Sequence, residues 1–486
     1  MFIGIDLGTS SVKCILIDED DRVVATTSDA LTTSRPAPTH SEQNPESWWK
    51  ATLTALDQLA GTAPGAMASV TGIGLSGQMH GAILLDAQDR VLRPCILWND
   101  GRATTECAEL EAAWPALREV TGNAAMPGFT APKLLWIRKH EPEIFAAIAR
   151  VLLPKTYLRL RLTGENVEDM SDASGTLWLD VARRDWSDAA LDATGLSRRQ
   201  MPRLVEGTMP TGRLRSDLAQ RWGMMTPPIL AGGAGDNAAG AVGLGAVRPG
   251  DAFISLGTSG VLWATTAGFA PNPGEAVHAF CHCLPNTWHQ MGVILSAASC
   301  LSWLATTLGV DEAELMREVD DTVSRPSDTL FLPYLSGDRT PHNDANIRGA
   351  FIGLSHQTDR STLIQSVMEG VAFALKDCLN ALASAGTTIK GADVIGGGAR
   401  SPLWLSILAN VLDLPLSQVT GAEVSSAFGA ARLGRMAATG EDPMTVCRPP
   451  QRAAIFTPKA DLRDSYEAAY ARYRIAYPRL KEIATT

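Results

Sequence analysis

The sequence predicts an α/β protein. Strand and helix signals alternate from end to end, one strand-turn-strand unit occurs twice, and the composition suits a chain that packs a large core. Residues 7–10 and 256–259 both read Leu-Gly-Thr-Ser, 249 positions apart in a chain of 486 residues. Each copy follows a short apolar strand, Ile3-Gly4-Ile5 or Phe253-Ile254-Ser255, and precedes another, from Val12 or at Val261-Leu262-Trp263. Matching flanks make duplication a better account than chance, so two related α/β domains are expected. Periodicity breaks between Gly243 and Pro249, which sets the expected domains at 1–245 and 246–486.

The elements follow in order. The opening reads as a β-meander: a strand at Phe2 to Asp6, a Gly/Thr/Ser turn, a strand at Val12 to Ile17, an acidic turn, and a strand from Arg22. Asn44-Pro45-Glu46 supplies an N-cap, an N1 proline and an early acid for a helix running toward Gly61. Strand signals return at Val70 to Leu75, Ala82 to Leu85 and Val91 to Leu97. The uncharged run from Val293 to Val310 approaches membrane-spanning length, but its serines and threonines favour a buried helix, so no membrane segment is expected. Asp393 to Gly398 reads as a strand entering a glycine turn, and Ser401-Pro402 starts the next helix.

Hydrophobic residues at 45% and charged residues at 19% exclude disorder as the main state. The net charge of -10 argues against nucleic acid or an anionic membrane as partner. Eight cysteines without a CxxC pair, and an N-terminus without a basic region before an apolar stretch, point to a reduced, cytoplasmic compartment.

Four segments carry chemistry. Asp6 ends an apolar strand directly before Gly8-Thr9-Ser10, whose backbone N–H groups suit phosphate oxygens, with Lys13 adding a positive charge. Alone, this Asp could merely bond its own turn; the second copy favours an acid holding Mg²⁺ near phosphates, since two glycine hairpins suit a nucleotide held between two domains. The glycines at 396–398 permit close approach of distal phosphates or a ribose, and because the spacing is not GxGxxG a dinucleotide site is the weaker alternative. Asp236-Asn237, among small residues next to the domain boundary, offers a general base toward a hydroxyl. His80, in Gly77-Gln78-Met79-His80-Gly81, either hydrogen-bonds a polyol or is a satisfied core histidine, and on the residues alone the second reading leads. His278, Cys281, His282, Cys283 and His289 invite a zinc reading that the spacing does not support, because Cys281 and Cys283 would share one strand face with His282 on the other.

Together the hairpin at Asp6, Gly-Gln-Met-His-Gly at 77–81, Trp98-Asn99-Asp100-Gly-Arg102, Asp236-Asn237, the hairpin at Thr258 and Gly396-Gly-Gly-Ala-Arg resemble the FGGY family of carbohydrate kinases over essentially the whole chain. Thr130-Ala-Pro-Lys133-Leu-Leu-Trp136 resembles the family's first signature. Gly349 through Glu369 resembles its second, with Thr362 where an acid or amide is usual. Ala234 also interrupts a glycine run common in the family. The resemblance implies two RNase-H-like domains of the actin/hexokinase type, with ATP and a sugar in the cleft between them. It implies Asp236 as base, Asp6 as the Mg²⁺-side acid, directly or through water, and Met79, His80, Asp236 and Asn237 as sugar contacts. Gly8, Thr9, Ser10, Lys13, Gly257, Thr258, Gly397 and Gly398 are the implied nucleotide contacts. Met79-His80 implies D-xylulose, phosphorylated at its 5-hydroxyl on entry to the pentose phosphate pathway, where an Arg-Glu pair would imply glycerol. Another ketose or polyol, such as ribulose, is the rival within the family, and an actin- or chaperone-like ATPase is the rival outside it. The implied partners are the sugar and ATP, with neither nucleic acid nor membrane and with room for a homodimer.

Overall fold

A computed structural model describes residues 1–319, 324–419 and 426–484. The chain builds two seven-stranded sheets around the duplicated hairpin. In the first, β1 (Phe2–Leu7), β2 (Ser11–Ile17) and β3 (Val23–Ala30) form the antiparallel meander expected from the sequence. Helix α1 (Pro45–Thr62) starts as its signals require, with the Asn44 side chain accepting from the Glu46 N–H and Pro45 in the first turn. Strand β4 (Gly72–Gly77) pairs parallel to β1. Helices α2 (Thr130–His140), α3 (Pro154–Thr163) and the single-turn α4 (Met170–Ser174) follow. Strands β5 (Pro210–Arg213), β6 (Ile229–Ala231) and β7 (Ala234–Gly235) complete the sheet, in the order β5-β6-β4-β1-β2-β3 with β7 also on β4. Helix α5 (Asp236–Leu244) leaves β7 directly.

The second sheet repeats the plan. Strands β8 (Ala252–Leu256) and β9 (Gly260–Thr266) form the second hairpin; β10 (His278–Cys281) and β11 (Trp288–Ile294) extend it on one side. After helices α6 (Ala298–Leu308) and α7 (Arg360–Ser384), β12 (Ala392–Ile395) pairs parallel to β8 just as β4 pairs with β1. Helix α8 (Pro402–Leu412) and strand β13 (Leu416–Val419) follow, then α9 (Ser426–Thr439), β14 (Arg452–Phe456) and α10 (Arg463–Ala484), giving the order β10-β11-β9-β8-β12-β13-β14.

Helix α9 comes late in sequence yet packs on β1 and β4 of the first sheet and against α5. Glycines set that approach. A Cβ on Gly74 would lie 1.7 Å from the Ala430 carbonyl oxygen, and one on Gly4 1.8 Å from that of Ala427; on α9 itself, Gly429 faces the Ala239 carbonyl at 1.7 Å. No side chain fits there, so backbone meets backbone and α5 is pinned at the edge of the first sheet.

Three expectations need correction. The run from Val293 to Val310 is not one buried helix: it holds the end of β11 and then α6, which buries Cys300, Leu301, Leu304 and Ala305 but exposes Trp303, Thr306 and Thr307. Its hydroxyl residues solvate one face rather than mark an all-round buried helix. Among the described residues no helix is long and apolar enough to cross a membrane. The segment from Val91 to Leu97 pairs only at Cys95–Ile96 and through a bridge at Val91, because Pro94 has no N–H to give a ladder. Strand β10 stops at Cys281, so Cys283 lies beyond it and the strand alternation invoked for the cysteines does not reach that far. His278, Cys281, His282, Cys283 and His289 are all buried, and among the described residues they form no metal-binding cluster.

The glycine packing yields a paired prediction. Gly74→Ala forces a methyl into backbone and should cost about 1–3 kcal/mol or more, seen as a lower Tm. Gly61→Ala, in α1 with open space around it, should hold or raise Tm, by up to about 1 kcal/mol of helix propensity. Thermal unfolding of the two variants beside the parent chain checks the contrast.

Candidate active site

The parallel pairing of β1 with β4 sets Asp6 beside Ser76, and the hairpin sets it opposite Lys13 on β2. Asp6 Oδ1 is buried and has no hydrogen-bond partner. Burial raises the Asp6 pKa, with Ser76 and Lys13 pulling the other way. Asp236 lies close enough for Asp6 to act on it electrostatically: burial first and the Asp6 charge second raise its pKa to about 7, against the lowering effect of Asn237. Asn237 donates to Asp236 Oδ1 twice, from its backbone N–H at 2.7 Å and from Nδ2 at 2.9 Å. One carboxylate oxygen is thereby fixed and the other left for a proton.

Around Asp6 the first hairpin is held from several sides. Gly8 N–H donates to the Ser11 carbonyl at 3.0 Å. The Thr9 hydroxyl donates to Gln78 Oε1 at 3.2 Å and accepts from Trp98 Nε1 at 3.0 Å, while Gln43 Nε2 donates to the Thr9 carbonyl at 2.7 Å. In the second hairpin Gly257 N–H donates to the Ser259 carbonyl at 3.1 Å, and the carbonyls of Gly257 and Thr258 accept from Ala298 and Ala297 at 2.8 and 2.9 Å, at the start of α6. The turn at 396–398 lies on that hairpin: Gly396 has φ +94°, and a Cβ there would stand 2.7 Å from the Leu256 carbonyl oxygen. The structure thus brings Gly257 and Thr258 together with Gly397 and Gly398, and Asp6 together with Asp236. Among the described residues no hydrogen bond joins the two hairpins, and Ser10 and Lys13 make no side-chain hydrogen bond that draws them to either group.

His80 has φ +69°, a strained backbone for a residue with a Cβ. Its carbonyl accepts from Lys133 Nζ at 2.7 Å and from the Thr130 hydroxyl at 3.2 Å, both on α2. Its Nδ1 donates to the Gly175 carbonyl at 2.7 Å, which fixes the tautomer and leaves Nε2 as an acceptor. Burial lowers the His80 pKa to about 3, so the ring is neutral near neutrality. The Phe129 ring meets it edge-on at 4.7 Å, and Met79 packs against Gly235, the residue before Asp236. Its Nε2 makes no hydrogen bond among the described residues, and the ring shares the space above Gly175 with the Met79 methyl.

Sequence reasoning missed several neighbours. A cavity of about 650 Å³ opens beside Gly397 and Gly398, lined also by Leu301, Met316, Arg400 and Ser401; its apolar walls and glycine mouth suit a flat heterocycle joined to phosphates. Lys133 lies in the stretch that resembles the family's first signature, and a lysine between Pro132 and Leu134 on a helix face that is buried is a signal that it bonds something inside; burial lowers its pKa to about 7. Gly175 and Phe129 carry no local signal. As a check on the tautomer and charge of His80, its ring carbon resonance, identified by its loss in His80→Gln, should not move from about pH 5 to about pH 8, where an ordinary histidine titrates.

The N-terminal domain model of the FGGY family of carbohydrate kinases matches residues 1–243, and its C-terminal domain model matches residues 252–438. The xylulose kinase of Escherichia coli K12 is 50% identical over 481 residues, covering 99% of this chain and 97% of the relative. That of Bacillus subtilis is 36% identical, covering 99% and 98%. Among solved structures, a xyloylose kinase from Brucella ovis superposes with a TM-score of 0.97 at 55% identity, over 99% of both chains. With domain models matched over residues 1–243 and 252–438, the chain belongs to the FGGY family of carbohydrate kinases.

Proposed function

We propose that this carbohydrate kinase transfers the γ-phosphate of ATP to the 5-hydroxyl of D-xylulose, giving D-xylulose 5-phosphate and ADP. The observation that carries the reading is the Asp236-Asn237 pair at the start of α5, with one oxygen fixed and the other free, and with Met79 packed against the residue before it. The identity to xylulose kinases over nearly the full length supports the same sugar. Eight cysteines without a CxxC pair support the cytoplasm as its site of action.

Phosphoryl transfer asks for alignment, neutralisation of phosphate oxygens and removal of one proton. Asp236 takes the proton from the terminal hydroxyl as its oxygen attacks the γ-phosphorus and ADP departs. A pKa near 7 suits a carboxylate to that task, since an ordinary aspartate is too weak a base. His80 accepts a hydrogen bond from a sugar hydroxyl at Nε2, and its neutral state costs no charge burial. The N–H groups of Thr9, Ser10 and Thr258 cradle phosphate oxygens, with Gly8 and Gly257 closing the turns that present them and letting phosphate approach the backbone; Gly397 and Gly398 hold the distal part of the nucleotide, and Lys13 adds positive charge. Asp6 fits Mg²⁺, directly or through water: it offers a hard oxygen donor whose Oδ1 is buried without a partner. When bound, that ion neutralises phosphate charge.

In a coupled ADP-release assay across D-xylulose, D- and L-ribulose, D-fructose, glycerol and gluconate, D-xylulose should be the best acceptor, and His80→Ala should lower kcat/KM for it; a preference for ribulose would assign the other ketose, and one for glycerol or gluconate would refute the sugar assignment. Asp236→Asn should lower turnover by about 10²- to 10⁴-fold with ATP binding almost intact by calorimetry. Asp6→Asn should give a defect that depends on Mg²⁺ concentration, and the reverse pattern would exchange the two roles.

A further inference from the structure

Behind Asp236 and His80 lies a cluster of charge that the mechanism does not use. Lys155 on α3 is fully buried, and its Nζ meets Glu168 Oε1, Asp169 Oδ1 at 3.0 Å and Asp172 Oδ2 at 3.7 Å, all with fully buried side chains. The three carboxyl groups approach one another as the ligands of a cation would, but the Lys155 ammonium already stands among them, so the cluster is a closed ion network rather than a metal site. Arg159, one turn along α3, adds a second buried cation whose Nη2 donates to the Gly232 carbonyl at 2.6 Å. Burial first, and the charge of Glu168 next, push the Asp172 pKa well up.

The network touches the site at both ends. The Lys155 stem runs between two glycines: a Cβ on Gly77 would lie 3.3 Å from Lys155 Cβ, and one on Gly233 3.3 Å from Lys155 Cδ. Gly77 leads into Gln78-Met79-His80, and Gly233 leads into Asp236. Asp169 Oδ2 accepts from both the backbone N–H and the hydroxyl of Ser171, and Ser171 Oγ in turn accepts from the Gly235 N–H at 3.1 Å. At the other end of α4, the Gly175 carbonyl accepts from His80 Nδ1. One buried helical turn therefore ties the residue before Asp236 to the ring of His80. An apolar filling of the same volume would stabilise the fold about as well as buried ion pairs do, so the network is best explained by the geometry it enforces.

We infer that the Lys155 network is a positioning unit for the transfer step, and that Ser171, through its hydrogen bond to Gly235, is the positioning residue that sets where Asp236 stands. This rests on Asp236 being the base, and the test separates the two. Ser171→Ala withdraws the acceptor, and Ser171→Cys withdraws most of it while keeping the shape, since sulfur accepts weakly. Ser174→Ala is the matched comparison: it removes a buried hydroxyl of the same helix that accepts from a different backbone N–H, that of Cys281, at 3.0 Å. Both Ser171 variants should lower kcat by about tenfold or more, as misplacement of a reacting group does, with KM for the sugar and the ATP affinity within about twofold. Ser174→Ala should lose comparable thermal stability without that loss of kcat. In an Asp236→Asn background, Ser171→Ala should add no further loss, because it acts through the group already removed.

Unchanged kcat in both Ser171 variants overturns the proposal. So does an equal fractional loss in the Asp236→Asn background, or a loss in Ser174→Ala as large as in Ser171→Ala. If Asp236→Asn alone keeps near-normal turnover, the base assignment itself fails and the positioning role falls with it.

Discussion

Two carboxyl groups that repel each other in a poorly solvated cleft, Asp6 and Asp236, are the constraint on which the rest of the site depends. Neither acid is paired with a cation in a salt bridge among the described residues, and each has its pKa raised, mainly by burial. Left to themselves such groups would move apart or take up water. They stay because each is the end of a rigid element. Asp6 closes a central strand with neighbours on both sides, and Asp236 opens α5 directly from a strand of the same sheet. That electrostatic cost is what suits one acid to the proposed role of base and the other to the proposed role of donor to a cation.

Rigidity at that point comes from glycine. Where α9 returns from the second half of the chain it lies against β1, β4 and α5 at backbone distance, and Gly4, Gly74 and Gly429 are the respective positions that permit it. The same device recurs at Gly175 and Gly235, where His80 and Met79 fill the space a Cβ would take, and at Gly233, where the Leu75 carbonyl does. Small residues thus let long functional side chains and whole helices approach the reacting centre, and the charged network under α4 gives that approach a single register.

Much of this was legible in the sequence wherever the cause is local. The meander, the Asn44-Pro45 start of α1, the Ser401-Pro402 start of α8 and both hairpins follow from turn chemistry and capping within a few residues. Asp6, Asp236 and His80 stood out because each is a polar group where an apolar or turn residue would be ordinary. What was not legible is what depends on distance along the chain. The tautomer of His80 is set by a carbonyl 95 positions away, and the Gly235 N–H finds its acceptor 64 positions back. The cavity beside Gly397 needs α6 and α8 to meet, which no local pattern announces. The uncharged run from Val293 to Val310 misled because composition measures hydrophobicity without its direction, and the helix inside it presents its threonines and Trp303 outward.

The central claim is that Asp236 works as a base because burial and the nearby Asp6 hold its pKa near neutrality. The pH dependence of kcat/KM for the sugar addresses it most directly, because that quantity reports the ionisations of the enzyme before the sugar binds. A raised carboxyl pKa means that the protonated, inactive form persists upward in pH. Activity should therefore climb through a single-proton limb near about 7 and level off above it. A profile flat through that region, or a limb that persists unchanged in the residual activity of Asp236→Asn, would contradict the account.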